Sequence, residues 1–86
     1  MDSYAIEKTG VRKFTVTVTS PKKLRWKPLD STGISITSNS VTSDGSGKNY
    51  TWDIEVERPG FYELRMLKQG KDGVFHRIVI PIAASR

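Results

Sequence analysis

The side chains able to do chemistry in this 86-residue chain fall into a few clusters. Lys22, Lys23, Arg25 and Lys27 crowd around Trp26, a density of positive charge suited to carboxylate, phosphate or sulfate partners. Asp53, Glu55 and Glu57 alternate along one segment, and Tyr50 and Trp52 precede them at a similar spacing. Paired carboxylates hydrolyse glycosides only when a cleft holds them and raises one pKa; on an outer strand face they are simply solvated. Exposed rings at positions 50 and 52 would offer a glycan a stacking platform, while buried ones would supply core area. His76 is the single histidine and there is no cysteine, so a nucleophile–base–acid triad lacks its parts. Disulfides and cysteine-ligated metals are excluded as well. The acids do not follow a calcium-loop spacing and no histidine pair exists, so no metal site and no cofactor are expected. Asp44-Gly45-Ser46-Gly47-Lys48 lacks the glycine five residues before its Gly-Lys pair, and Asn49 stands where Ser or Thr belongs. It reads as a turn, and catalysis is not expected.

These groups must be positioned by strands. Phe14, Val16 and Val18 alternate with Lys13, Thr15, Thr17 and Thr19, the period-two pattern of a half-buried antiparallel strand. Leu24 and Trp26, Ile34 and Ile36, Tyr50 to Val56, Tyr62 to Met66, and Ile78 to Ile82 repeat that period. A short first strand is placed at Tyr4 to Ile6. Turn residues fall between these runs, at Thr9-Gly10, Ser20-Pro21, Pro28 to Gly33, Arg58-Pro59-Gly60 and Gln69 to Gly73. Pro81 within the last run assigns it to a sheet edge or a bulge. Ser38 to Asn49, polar throughout except Val41, is expected to be a mobile loop. No window carries a helical stripe. The chain is expected to form one domain over residues 1–86. A domain this small buries only about 60% of the surface of its unfolded chain, so its apolar 36% must be placed efficiently. Met1 to Tyr4 show no export signal, and the apolar run Ile78 to Ala84 is too short to span a bilayer.

At Pro59-Gly60-Phe61-Tyr62-Glu63-Leu64 the chain resembles the entry to strand F of immunoglobulin-like sandwiches, where a tyrosine hydroxyl bonds the backbone a few residues upstream. Tyr62 would be that corner tyrosine and Trp26 the strand C tryptophan. Leu64 and either Val16 or Phe14 would replace the cysteine pair. The resemblance implies an all-β, Ig-like antiparallel β-sandwich of about seven strands in two sheets, of the cysteine-free bacterial or phage surface type. Fibronectin type III and other cysteine-free sandwiches share these features, so both topologies stay open.

Under this resemblance Trp26 would share a sheet with the strands of Arg65 and Arg77. One outer face would then carry Lys23, Arg25, Lys27, Arg65 and Arg77, with Phe75 and Leu67 among them. The other would present Asp53, Glu55 and Glu57 beside Thr15, Thr17 and Thr19. The resemblance implies a display or interaction module of a virion, as capsid or tail decoration, or of a bacterial surface protein. Its partners would be a protein, such as a parent chain or capsid, or a cell-surface glycan. Two other uses stay open: a carbohydrate-binding module built on Tyr50 and Trp52, and a polyanion or nucleic-acid binder built on the basic face.

Overall fold

Alternating β-branched and polar residues build seven strands: β1 (Ser3–Gly10), β2 (Lys13–Ser20), β3 (Trp26–Pro28), β4 (Ile34–Asp44), β5 (Gly47–Val56), β6 (Gly60–Gln69) and β7 (Phe75–Ala84). The computed structural model describes residues 3–20, 24–45 and 47–85, and no helix occurs among them. The strands form two antiparallel sheets, one ordered β1-β2-β5-β4 and the other β3-β6-β7. The protein is therefore an all-β sandwich.

The inner face of each sheet is the apolar half of its alternation. Phe14, Val16 and Val18 of β2 lie beside Ile54, Trp52 and Tyr50 of β5. Leu64 and Met66 of β6 lie beside Ile80 and Ile78 of β7. Together with Trp26, Val56, Ile82 and Ala84 these residues make one buried cluster, to which Ile78 adds a partly buried edge. Val16, Met66 and Ile80 have no exposed surface. Pairs of this kind are what hold a sandwich together, because each apolar side chain removed from water stabilises by about 1.5–3 kcal/mol.

Two connections are fixed by specific contacts. The Tyr62 hydroxyl donates to the Arg58 carbonyl at 2.6 Å and accepts from the Arg58 N–H at 3.3 Å, so the turn into β6 is held by a side chain four residues on. This is the upstream backbone bond anticipated for that tyrosine. The segment between β3 and β4 is tied down by Ser31, whose hydroxyl donates to the Leu29 carbonyl and accepts from the Arg65 N–H at 2.9 Å. It ends at Gly33, whose φ of +79° few other residues adopt.

Several elements differ from the sequence reading. Ser38 to Asn49 is no loop: β4 runs on to Asp44, β5 begins at Gly47, and their ends pair Asp44 with Gly47. Backbone pairing to β5 sustains this half of β4, and its polar side chains are exposed along an edge, so no apolar period marks it. Ser46 of this turn, and Pro21 of the turn after Ser20, lie outside the described residues. The first strand is longer than Tyr4 to Ile6, because Glu7 and Lys8 continue the ladder with Thr15 and Phe14 before a bulge at Gly10. The tryptophan strand is shorter and later, covering Trp26 to Pro28. Beyond it, single bonds from Gln69 N–H to the Arg25 carbonyl and from Leu29 N–H to the Arg65 carbonyl continue the contact with β6. Pro81 lies on β7, an edge of its sheet, where a missing N–H costs no ladder bond on the open side.

Four strands cover three, so the larger sheet overhangs. Tyr4 and Ile6 oppose Val18 and Val16 on the inner side, yet are 47% and 38% exposed. Ile36 and Val41 of β4 oppose Ile54 and Tyr50 and are likewise exposed.

Candidate interaction face

The outer side of the three-stranded sheet is built by the same alternation that fills the core. Lys27 of β3 pairs with Leu67 of β6, and Leu67 pairs with Arg77 of β7. Directly opposed residues in antiparallel strands share a face, so these three stand in one row. The next row sets Arg65 beside Val79, and the row on the other side sets Gln69 beside Phe75. Arg25 joins that row through its N–H, which donates to Gln69 Oε1, and its carbonyl, which accepts from Gln69 N–H. The register thus brings Arg25, Lys27, Arg65, Phe75 and Arg77 together, with Leu67 and Val79 interleaved. Lys22 and Lys23 lie outside the described residues. Val79 is the member that alternation alone should have revealed, since it shares parity with Phe75 and Arg77.

All four cations are exposed, and none forms an ion pair with a described residue. Asp30 sits at the margin, in a shallow depression of about 300 Å³ with Leu29, Arg65, Arg77 and Val79. Glu63 occupies the far row, beside Pro81. Phe75 and Val79 are 40% and 48% exposed, so the face combines positive charge with accessible apolar surface.

A groove of about 570 Å³ opens at the margin of this face, between β3 and β4. Arg25, Lys27 and Lys48 supply its charge, and Trp26, Tyr50, Val41, Leu67 and Phe75 its apolar lining. Two buried polar atoms, Trp26 Nε1 and Ser20 Oγ, have no hydrogen-bond partner among the described residues, and Ser20 pairs in register with Lys48. Lys68 Nζ lies 5.9 Å from the Trp26 ring centroid, which keeps a cation against the indole.

The aromatic pair does not form the exposed platform considered from the sequence. Tyr50 and Trp52 are 6% and 4% exposed, and their rings stack on each other at 5.4 Å with planes 4° apart. Their alternation with Ile54 and Val56 turns them inward, and the Tyr50 hydroxyl reaches the Leu24 carbonyl at 3.4 Å. Tyr50, though buried, still lines the groove wall.

The opposite sheet carries the acids. Asp53 is held by Ser38 Oγ at 2.6 Å and Thr15 Oγ1 at 2.7 Å, and these two donated hydrogen bonds hold its carboxyl below the usual range. Glu55 stands beside Lys13, so this face is not uniformly negative. The Glu57 carbonyl accepts from Arg12 just past the end of β5. His76 is exposed, 3.9 Å from Asp72 of the β6–β7 turn. No group of three His, Asp or Glu residues able to hold a metal ion occurs among the described residues. Compared with known proteins, this chain matches no protein family, no characterised protein and no solved structure.

Proposed function

We infer that this protein is a non-catalytic docking module of the immunoglobulin-like type, which binds an acidic protein surface through the outer face of β3, β6 and β7. The single observation carrying this reading is the run of adjacent rows on that face. Arg25, Lys27, Arg65 and Arg77 stand there without ion-pair partners among the described residues, around Leu67, Phe75 and Val79. Unpaired cations steer an acidic partner and set its orientation, while accessible apolar groups between them supply area that a merely solvated face lacks. The strand order β1-β2-β5-β4 over β3-β6-β7 supports the family reading, being A-B-E-D over C-F-G of a constant-type sandwich. The Tyr62 bond to Arg58 supports it too, standing where the tyrosine corner belongs. A virion or bacterial surface, or a larger parent protein, is the setting in which such a module would be displayed. Carbohydrate stacking is disfavoured, because Tyr50 and Trp52 are spent in the core.

Amide-shift titrations with three probes test the reading: an Asp/Glu-rich peptide containing Phe and Leu, a heparin fragment, and a single-stranded DNA oligonucleotide. The peptide is expected to shift the amides of Lys27, Arg65, Leu67, Phe75 and Arg77, and Arg65→Glu with Arg77→Glu to weaken it about tenfold or more. Saturation by heparin or DNA with no response to the peptide would replace this reading with polyanion binding. Shifts confined to the β1-β2-β5-β4 sheet would refute both.

A further inference from the structure

A sandwich that does not close has edge strands, and the open N–H and C=O groups along an edge are a template for another strand unless the sequence blunts them. The edges here are β1, β4, β3 and β7. Three of them are blunted. β1 carries Glu7 and Lys8 and is bulged between Lys8 and Gly10. β3 has 3 residues and ends on Pro28. β7 contains Arg77 and Pro81. β4 has none of these protections along most of its 11 residues: no proline, no charge from Ile34 to Ser43, and, among the described residues, a hydrogen-bonded neighbour strand on one side only. Its bulge lies between Ile36 and Ser38, so Ser38 to Asp44 runs in regular register against β5. Val41 is the middle of that stretch, lines the groove, and is 54% exposed.

We propose that β4 pairs antiparallel with β4 of a second copy of this chain, about a twofold axis at Val41. A twofold interface must be complementary to itself. Centred on Val41, the regular stretch meets that requirement: Val41 opposes its own counterpart, Ser40 opposes Thr42, and Asn39 opposes Ser43. On the groove side valine meets valine and Asn39 meets Ser43, on the outer side hydroxyl meets hydroxyl, and no like charges oppose one another among these pairs. Arg25, Lys27 and Lys48 line the same groove as Val41, so each copy brings positive charge beside the seam and dimerisation is expected to strengthen as added salt screens it. The two larger sheets become one continuous sheet, and each copy's exposed Val41 is covered by the other's.

Sedimentation of the whole chain from about 20 µM to about 1 mM tests this, the range in which a small interface associates. The wild type is expected to move from monomer to dimer as concentration rises. Val41→Lys and Val41→Glu are each expected to weaken dimerisation by about tenfold, through loss of the apolar pair and opposition of like charges. An equimolar mixture of the two is expected to restore it. Val41 is exposed, so both variants should keep the near-ultraviolet signature of the buried tryptophans. Should either lose it, Ser40→Lys on the outer side of the same strand serves in its place. A wild type that stays monomeric throughout, or variants that dimerise as the wild type does, would overturn the proposal.

Discussion

Gly33 and Gly73 adopt nearly the same backbone conformation, φ +79° and +83°, in different surroundings. A Cβ added at Gly73 meets nothing within 4 Å, whereas one added at Gly33 lies 2.5 Å from Tyr62 Cε1 and 3.1 Å from Cδ1. Alanine at Gly73 therefore exacts only the left-handed penalty, partly offset by lower entropy of the unfolded chain, for a net of about 1 kcal/mol. Alanine at Gly33 exacts the same penalty and must also push the Tyr62 ring aside. That ring cannot swing freely, because its hydroxyl is fixed to the Arg58 carbonyl at 2.6 Å. Losing that bond adds about 1 kcal/mol, and overpacking against the ring adds about 1–2 kcal/mol more. The expected totals are about 3–4 kcal/mol for Gly33→Ala against about 1 kcal/mol for Gly73→Ala. In a domain of this size each kcal/mol lowers Tm by about 4–8 °C. Urea unfolding followed by the fluorescence of Trp26 and Trp52 measures both. In a Tyr62→Ala background the cost of Gly33→Ala should fall to that of Gly73→Ala. If Gly33→Ala is no more costly than Gly73→Ala in the wild-type background, Tyr62 does not hold this corner and the reasoning fails.

Other outcomes follow from the core and from the acidic face. Leu64→Ala, at 1% exposure between the sheets, should cost about 2–5 kcal/mol. Phe61→Ala, on the other side of β6 at 92% exposure, should change stability by no more than about 0.5 kcal/mol, as thermal melts of both would show. Asp53 is ionised more readily folded than unfolded, so its contribution to stability is complete above the ordinary carboxylate value near 3.8 and is lost as pH falls through the lower folded value. Ser38→Ala, and to a lesser degree Thr15→Val, should move the Asp53 carboxyl titration upward by carbon-13 shifts. An unmoved titration would show that these hydroxyls do not hold it.

The strands that bury one face were legible because burial imposes a period. β2, residues 50–56 of β5 and residues 60–66 of β6 follow their alternation, and parity gave the outer side of Lys27, Arg65, Phe75 and Arg77, while the resemblance to immunoglobulin-like sandwiches implied that their strands share a sheet. Tyr62 was legible through a resemblance instead: Pro59-Gly60-Phe61-Tyr62 is similar to the entry to strand F of immunoglobulin-like sandwiches, which implied an upstream backbone bond of the kind its hydroxyl makes to Arg58. β4 and β1 were legible only in part, at Ile34 and Ile36 of one and Tyr4 to Ile6 of the other, because they are edges. Neither has a fully covered face, so Ser and Thr in one and Glu and Lys in the other satisfy the backbone ladder without an apolar rhythm. Trp52 and Tyr50 had the parity of core residues, and only the supposed loop beside them suggested exposure; once that loop is strand, the stack is the natural result. Val79 has the outward parity of Phe75 and Arg77, and belonged with them on the same ground.

The unequal sheets also bear on how such a chain could grow. The space over Val41 is shared with Trp26 and Lys27 of β3, and Ile36 is exposed further along β4. β3, the shortest strand, runs into the connection leading to β4. An insertion there long enough to make one more strand would extend the smaller sheet past β3 and cover both side chains, leaving the other ladders in register. This chain is thus short by one strand on one side, with the vacancy located where lengthening by a single insertion disturbs least.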